Sequence, residues 1–161
     1  MSTATDFDFL FRDWTVHHRK LKTRLAGAND WVEFSGTSTT RPVLGGEGNI
    51  EDNVLHDPGG TYRAIAVRSF DAQSKVWRIW WLDLRTPGDM GTPVLGRFDG
   101  GTGIFIADDT WRGAHIKMRF TWQKTAGLGP RWEQAFSADG GKTWEDNWIM
   151  EFSPLSIRPR S

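Results

Sequence analysis

The sequence predicts an all-β fold: a single up-and-down antiparallel β-barrel of about ten strands with a short N-terminal helical turn. Two observations support this prediction. Apolar and polar residues alternate in short segments along the chain, and Gly, Pro, Asn and Asp separate the segments. The connections are of hairpin length, which favours closure into a barrel over a sandwich with long crossovers. No period of about 40 residues recurs, which disfavours a repeat architecture.

The predicted strands are short and evenly spread. They cover residues 14–25, 31–43, 48–55, 61–70, 76–84, 92–98, 102–111, 114–124, 131–137 and 144–152. Only "DFDFLFRDW" (6–14) could hold a helical turn. A chain of 161 residues is long enough to enclose a core. We therefore expect one domain over 1–161, with its core at about 7–153 and tails at 1–5 and 154–161.

Charge and composition exclude several functional classes. The chain carries 20 basic and 20 acidic residues, and this balance predicts no general affinity for nucleic acid or anionic membranes. There is no cysteine, so disulfides are excluded. The N-terminal sequence has no basic segment followed by a long apolar run, and no run of about 18 apolar residues occurs anywhere. These features predict a cytoplasmic protein.

Aromatic residues dominate the predicted interior. The sequence has ten Trp and ten Phe but one Tyr. Alternation in the last three segments places one apolar face inward, with a single polar member: Ile116, Met118, Phe120, Trp122, Trp132, Gln134, Phe136, Trp148, Met150 and Phe152. Side chains do not fill the centre of a barrel of about ten strands, so the pattern predicts a ligand cavity.

His18 is the first candidate polar group inside the barrel. His17 and His18 are adjacent in one strand, so they point to opposite faces and cannot chelate one metal ion together. His18 shares its face with Trp14 and Val16, which predicts that it faces inward. It could act as a general base, hydrogen-bond a ligand or bind haem. It could equally be a core histidine bonded to a neighbouring side chain.

The segment "GNIEDNVL" (48–55) leaves two orientations open. Asn49, Glu51 and Asn53 share one face, and Ile50 and Val54 lie on the other. An inward Glu51 flanked by two amides would suit proton transfer or polar recognition. The alternation rule favours Ile50 and Val54 inside, so we expect the polar face to be solvated.

Arg68 is the second candidate polar group inside the barrel. It shares a face with Ala66 and Phe70, and an inward arginine would suit a carboxylate, phosphate or phenolate ligand. A structural pair with an aspartate is the alternative, and Asp83 could pair with Arg68 or with Arg85. Both faces of the segment 76–84 carry bulky side chains, so alternation does not decide which face points inward. We place Trp80 at the cavity wall.

Two acidic motifs are better explained by structure than by catalysis. "SADGGKTW" (137–144) resembles the Asp-box hairpin of sialidase-type propellers, but it occurs once and the chain has a single tyrosine, Tyr62. We expect a structural turn. Asp108 and Asp109 are adjacent in a strand and point apart, which disfavours a metal or glycosidase site. No cofactor-binding or metal-binding motif is found, so neither group is expected.

The sequence also resembles calycin barrels. The N-terminal residues Phe9-Leu10-Phe11-Arg12-Asp13-Trp14 resemble the lipocalin opening, in which a Trp plugs one end of the barrel. Across about residues 7–153, "GNIEDN", "RSFDAQSKVWRIWWLD", "VLGRFDGGTGIFIADDTW" and "RWEQAFSADGGKTWEDNWIMEF" resemble small bacterial proteins with a calycin-like domain of unknown function. The resemblance implies a barrel closed near Trp14 and carries no implied activity.

Together these patterns predict a barrel that binds a small hydrophobic or aromatic molecule. The predicted anchors are His18 and Arg68, and the predicted wall is Trp80, Phe105, Met118, Phe120, Trp132, Gln134, Trp148 and Met150. The alternative is a cofactor-independent isomerase, hydratase, cyclase or hydrolase, with His18 or Glu51 as base and Arg68 or Gln134 stabilising negative charge. A haem-binding barrel is a third hypothesis. Pairing of surfaces could also make a homodimer.

Overall fold

The computed structural model describes residues 2–126 and 129–155, and over these residues the chain forms a closed antiparallel barrel of ten strands. The strands are β1 (Asp13–Leu21), β2 (Trp31–Val43), β3 (Gly48–Asp57), β4 (Gly60–Asp71), β5 (Val76–Asp83), β6 (Val94–Asp99), β7 (Thr102–Trp111), β8 (Ala114–Ala126), β9 (Gly129–Ser137) and β10 (Glu145–Pro154). Two short 3₁₀ turns, Asp8–Leu10 and Leu44–Gly46, precede β1 and β3.

Consecutive strands pair along the whole chain, and β1 closes the barrel by pairing with β10. Val16 of β1 lies opposite Gly36 on one side and Phe152 on the other. This architecture confirms the predicted fold class. The segment 156–161 of the predicted C-terminal tail lies outside the described residues.

Burial follows the alternation that the sequence predicts. In β7, Gly103, Phe105 and Ala107 are buried, while Ile104 and Ile106 between them are exposed. Successive strand residues point to opposite faces, so one face of each strand lines the barrel interior. The β7–β8 hairpin turns at Arg112 and Gly113, both at positive φ, which glycine adopts without steric strain.

The N-terminal segment plugs one end of the barrel. Phe7 and Leu10 are fully buried, and Phe7 makes edge-to-face contacts with Trp77 and Phe98 at ring-centroid distances of 4.8 and 5.0 Å. Trp14 Nε1 donates a hydrogen bond of 3.0 Å to the carbonyl oxygen of Leu10. The barrel is therefore closed near Trp14, as predicted.

Residues before the plug are also anchored. The Trp77 indole donates to Asp6 Oδ2 at 3.1 Å, and the Ser2 hydroxyl donates to the same carboxylate. The backbone N–H of Phe98 donates to Ser2 Oγ at 3.3 Å. The described part of the predicted N-terminal tail is thus bound to the barrel end, because its polar groups bond to buried partners.

β3 has the opposite orientation to the one we expected. Asn49, Glu51 and Asn53 are 1–2% exposed and face inward, whereas Ile50 and Val54 are half-buried on the outer face. The reason is a tertiary partner: inward-facing residues of β4 include an arginine that neutralises Glu51. The alternation rule assumes an apolar interior and cannot anticipate that pairing.

No helix among the described residues has the length and apolar character needed to cross a membrane.

Truncating the plug tests its contribution to stability. Phe7→Ala should lower the free energy of unfolding by about 3–5 kcal/mol, because it leaves a cavity among fully buried aromatic rings. Urea denaturation at pH 7 measures the change. Asp8→Ala, an exposed change in the same segment, is the matched control and should stay near wild type. A loss below about 1 kcal/mol for Phe7→Ala would show that the barrel does not depend on the plug.

Candidate functional site

A cavity of about 180 Å³ lies inside the barrel. It is enclosed mainly by aromatic and sulfur-containing side chains, with a few polar groups: Ile79, Trp81, Met90, Gly91, Thr92, Asp109, Met118, Phe120, Trp132, Gln134 and Trp148. Cavities of this kind, apolar with few polar groups, are typical of small-molecule sites.

The cavity continues in two directions. Towards solvent it opens into a wider mouth of about 920 Å³, with which it shares Trp81, Gln134 and Trp148 among its lining residues. In the other direction a void of about 10 Å³, the size of one water molecule, lies beside Glu51 and Arg68.

Sequence reasoning finds most of the aromatic wall. Met118, Phe120, Trp132, Gln134 and Trp148 all line the cavity, as predicted. The rings pack edge to face: Trp132 lies 5.0 Å from Phe120 and 5.2 Å from Trp148, between ring centroids. Such contacts hold the rings in fixed orientations, so this wall is pre-formed. The "aromatic wall" below means the inward side chains of β8, β9 and β10.

Three predicted wall residues lie elsewhere. Trp80 is on the outer face of β5, and Trp81 lines the cavity in its place because Trp77, Ile79 and Trp81 form the inner face. Phe105 is fully buried against the plug, 5.9 Å from Phe7 between ring centroids, in the filled end of the barrel. Met150 lines the 10 Å³ void beside Glu51 instead of the larger cavity.

A buried ion pair lies beneath the cavity. Arg68 Nη2 donates to Glu51 Oε2, and Arg68 Nη1 donates to Asn49 Oδ1 at 2.8 Å. The Arg68 and Glu51 side chains are only 1% and 2% exposed. The guanidinium also lies 4.7 Å from the ring centroid of Phe7 and 5.4 Å from that of Trp122. Arg68 therefore faces inward as predicted, and its partner is Glu51, whereas Asp83 pairs with Arg85 at 2.7 Å.

Polar and small residues surround the ion pair. The inward side chains of β2, β3 and β4 form what we call the polar wall, which consists of Phe34, Gly36, Ser38, Thr40, Asn49, Glu51, Asn53, Leu55, Tyr62, Ala64, Ala66, Arg68 and Phe70. Ser38 Oγ, Thr40 Oγ1, Asn53 Nδ2 and Arg68 Nε have no hydrogen-bond partner among the described residues. This side of the interior retains unused hydrogen-bonding capacity.

His18 is inward and buried, but it is part of the packing. Its Nδ1 accepts a hydrogen bond of 3.1 Å from Trp148 Nε1, and its ring stacks on Phe34 at 4.8 Å between centroids. Burial, with the charge of Lys20, lowers the pKa of His18 to about 3, so the ring is neutral at pH 7. His18 lines neither the cavity nor the void beneath it. Gln134, His18 and Arg68 therefore do not converge on one space.

Lys20 is a mouth residue that sequence reasoning missed. Its Nζ donates to Tyr62 Oη at 3.2 Å and lies 4.2 Å from the Trp148 ring centroid. Burial lowers the pKa of Lys20 to about 8, with further lowering by Arg24 and Arg85. Burial raises the pKa of Tyr62 to about 12, so its hydroxyl stays neutral. The signal was in the sequence, because Lys20 continues the inward series of Trp14, Val16 and His18.

The Asp-box hairpin is structural, as predicted. Ser137 Oγ donates to Asp139 Oδ1 at 2.8 Å, and Asp139 accepts backbone N–H bonds from Lys142 and Thr143. Hydrogen bonds from Thr143, then Ser137, hold the pKa of Asp139 at about 2. These bonds satisfy the turn between β9 and β10 outside the cavity.

Comparison with known proteins adds no assignment: no protein-family model matches the sequence, and no curated protein matches it significantly.

Within residues 2–126 and 129–155, no three His, Asp or Glu side chains are placed to hold a metal ion. Function is therefore argued from the cavity and its polar groups.

The buried histidine predicts a pH dependence of stability. The unfolded chain protonates this residue near pH 6.5, whereas the folded chain does so near pH 3, so stability falls as pH drops through that window. His18→Asn retains an acceptor for Trp148 and removes the titration. Its loss of unfolding free energy between pH 7 and pH 4.5 should be smaller than that of wild type by about 2–3 kcal/mol in urea titrations.

His17→Asn is the control, since His17 lies on the exposed face of the same strand. It leaves His18 in place, so its loss of stability between the two pH values should stay within about 1 kcal/mol of the wild-type loss. Equal pH dependence in His18→Asn and wild type would mean that His18 does not titrate with unfolding.

Removing one partner of the buried ion pair should lower the free energy of unfolding more than replacing both partners. Glu51→Leu and Arg68→Met should each lower the free energy of unfolding by about 3–5 kcal/mol, because each leaves an unpaired buried charge. The double variant should be more stable than either single variant. Urea denaturation of all four proteins gives the coupling, and additive losses would contradict a direct pair.

Proposed function

We propose that this protein binds a small hydrophobic or aromatic molecule in the barrel cavity. The observation that carries the proposal is the aromatic wall, on which Phe120, Trp132 and Trp148 face an internal space of about 180 Å³. Indole and phenyl rings offer large apolar contact areas and edge or face contacts to another ring. Gln134 is the polar group of that wall, and its Nε2 donates to Asn147 Oδ1 at 2.8 Å.

The cavity is bounded by a rigid wall on one side and by a loop on the other. Its walls are held by strand pairing on the β7–β10 side, and Met90, Gly91 and Thr92 line it from the β5–β6 loop. Only Trp77–Ile79 of β5 pair with β6, so the loop flanks the least paired part of the barrel. A site that combines a rigid wall with a loop can admit a ligand without opening strand pairs.

Binding has more support than the enzymatic alternative. A general base must reach the substrate proton within hydrogen-bond distance, or through one water. His18 Nδ1 already accepts from Trp148, and Glu51 is paired with Arg68. Haem ligation would need an accessible inward histidine, whereas His18 is 2% exposed. The neutral net charge favours a small-molecule partner over nucleic acid.

Filling the cavity should weaken binding. The probe is N-phenyl-1-naphthylamine, a neutral aromatic fluorophore, titrated into the protein at pH 7 while its emission and the Trp emission are followed. Met118→Trp adds an indole to the cavity wall and should weaken binding at least tenfold, about 1.4 kcal/mol, by exclusion.

The matched control is Ile106→Trp, which adds an indole on the exposed outer face. It should bind the probe as wild type does. The proposal fails if wild type does not bind the probe, or if Met118→Trp binds it as tightly as the control does.

A further inference from the structure

We infer that the ligand of this cavity is an amphipathic anion, whose apolar body lies against the aromatic wall and whose oxyanion is held at the mouth by Lys20. The inference rests on the proposed function and narrows its ligand class. It depends on the position of the Lys20 ammonium, the cations beside it and the arrangement of the nearby carboxylates.

Lys20 is positioned at the junction of the cavity and the mouth. It pairs with Trp148 in the β1–β10 register, and its ammonium lies 4.2 Å from that indole's centroid. Trp148 lines both the cavity and the mouth, and Lys20 lines the mouth. An oxyanion bound to Lys20 would therefore place the attached apolar body against Trp148 and within the cavity.

The ammonium has no carboxylate partner. Within the described part of the chain, no carboxylate oxygen lies within 4.0 Å of Lys20 Nζ, and its one side-chain hydrogen bond goes to the neutral Tyr62. Tyr62 Oη could donate its own proton to a second acceptor, such as an oxyanion. A partly desolvated cation that lacks a counter-ion gains most from an anionic ligand.

Two guanidinium groups line the same mouth. Arg24 lies over Trp111 and Phe136, at 5.2 and 5.4 Å from the ring centroids. Arg85 lies 3.6 Å from the Tyr62 ring centroid and is bound to Asp83. Aromatic faces hold both groups at the mouth, where the positive charge of Arg24 adds to the attraction for an anion and that of Arg85 is offset by Asp83.

The carboxylates of the mouth are bound by neighbouring backbone N–H groups. Asp57, Asp83, Asp89 and Asp109 line it, and each accepts a backbone N–H bond at 2.7–2.8 Å, from Gly59, Arg85, Gly91 and Thr110 respectively. A carboxylate held by a neighbouring N–H group cannot swing to neutralise Lys20 without losing that bond. The Lys20 ammonium is therefore unpaired although four acidic side chains line the mouth.

The experiment compares two probes that share one aromatic skeleton. N-phenyl-1-naphthylamine is neutral, and 1-anilinonaphthalene-8-sulfonate adds only a sulfonate. Fluorescence titrations at pH 7 and low salt should show the sulfonate binding wild type about tenfold tighter or better, in line with one charge-assisted hydrogen bond. Lys20→Met should reduce this preference to less than about threefold and leave binding of the neutral probe nearly unchanged.

Lys142→Met is the matched control, because it removes the same charge from the exposed Asp-box turn. It should retain the wild-type preference. The inference is overturned if the sulfonate binds no tighter than the neutral probe, or if Lys20→Met keeps the preference. In either case binding of the neutral probe would leave the proposed function standing, whereas failure of both probes would reject the proposed function itself.

Discussion

The interior of this barrel is organised around one interaction, the buried ion pair between Glu51 and Arg68. Arg68 bonds to Glu51 and Asn49 on β3, and its guanidinium contacts the rings of Phe7 and Trp122. A cation at 1% exposure needs a counter-ion, and Glu51 supplies it when β3 turns its polar face inward. The orientation of a whole strand thus follows from one charge.

The ion pair also divides the barrel into two ends. On one side of it the plug fills the interior, with Phe7 and Leu10 fully buried. On the other side the cavity opens between the aromatic wall, Ile79 and Trp81 of β5, and the β5–β6 loop. Arg68 therefore acts as the floor that separates a packed end from a hollow one.

The alternation of apolar and polar residues located most of the candidate site. It failed where both faces of a strand carry similar side chains. Met118, Phe120 and Trp132 were found because β8 and β9 have one apolar and one polar face. Trp80 was misplaced because β5 is bulky on both faces, and periodicity cannot then choose between Trp80 and Trp81.

The sequence by itself determined the all-β class and the order of the strands, because these depend on local alternation, turn residues and neighbouring hairpins, whereas closure near Trp14 was implied only by the calycin resemblance. Only the tertiary structure decided which polar groups are buried together. Glu51 and Arg68 are 17 residues apart, and His18 and Trp148 are 130 residues apart. Such pairs form through strand register and barrel closure, and the free energy of burying a charge or an imidazole depends on that distant partner. No local pattern in the chain encodes it.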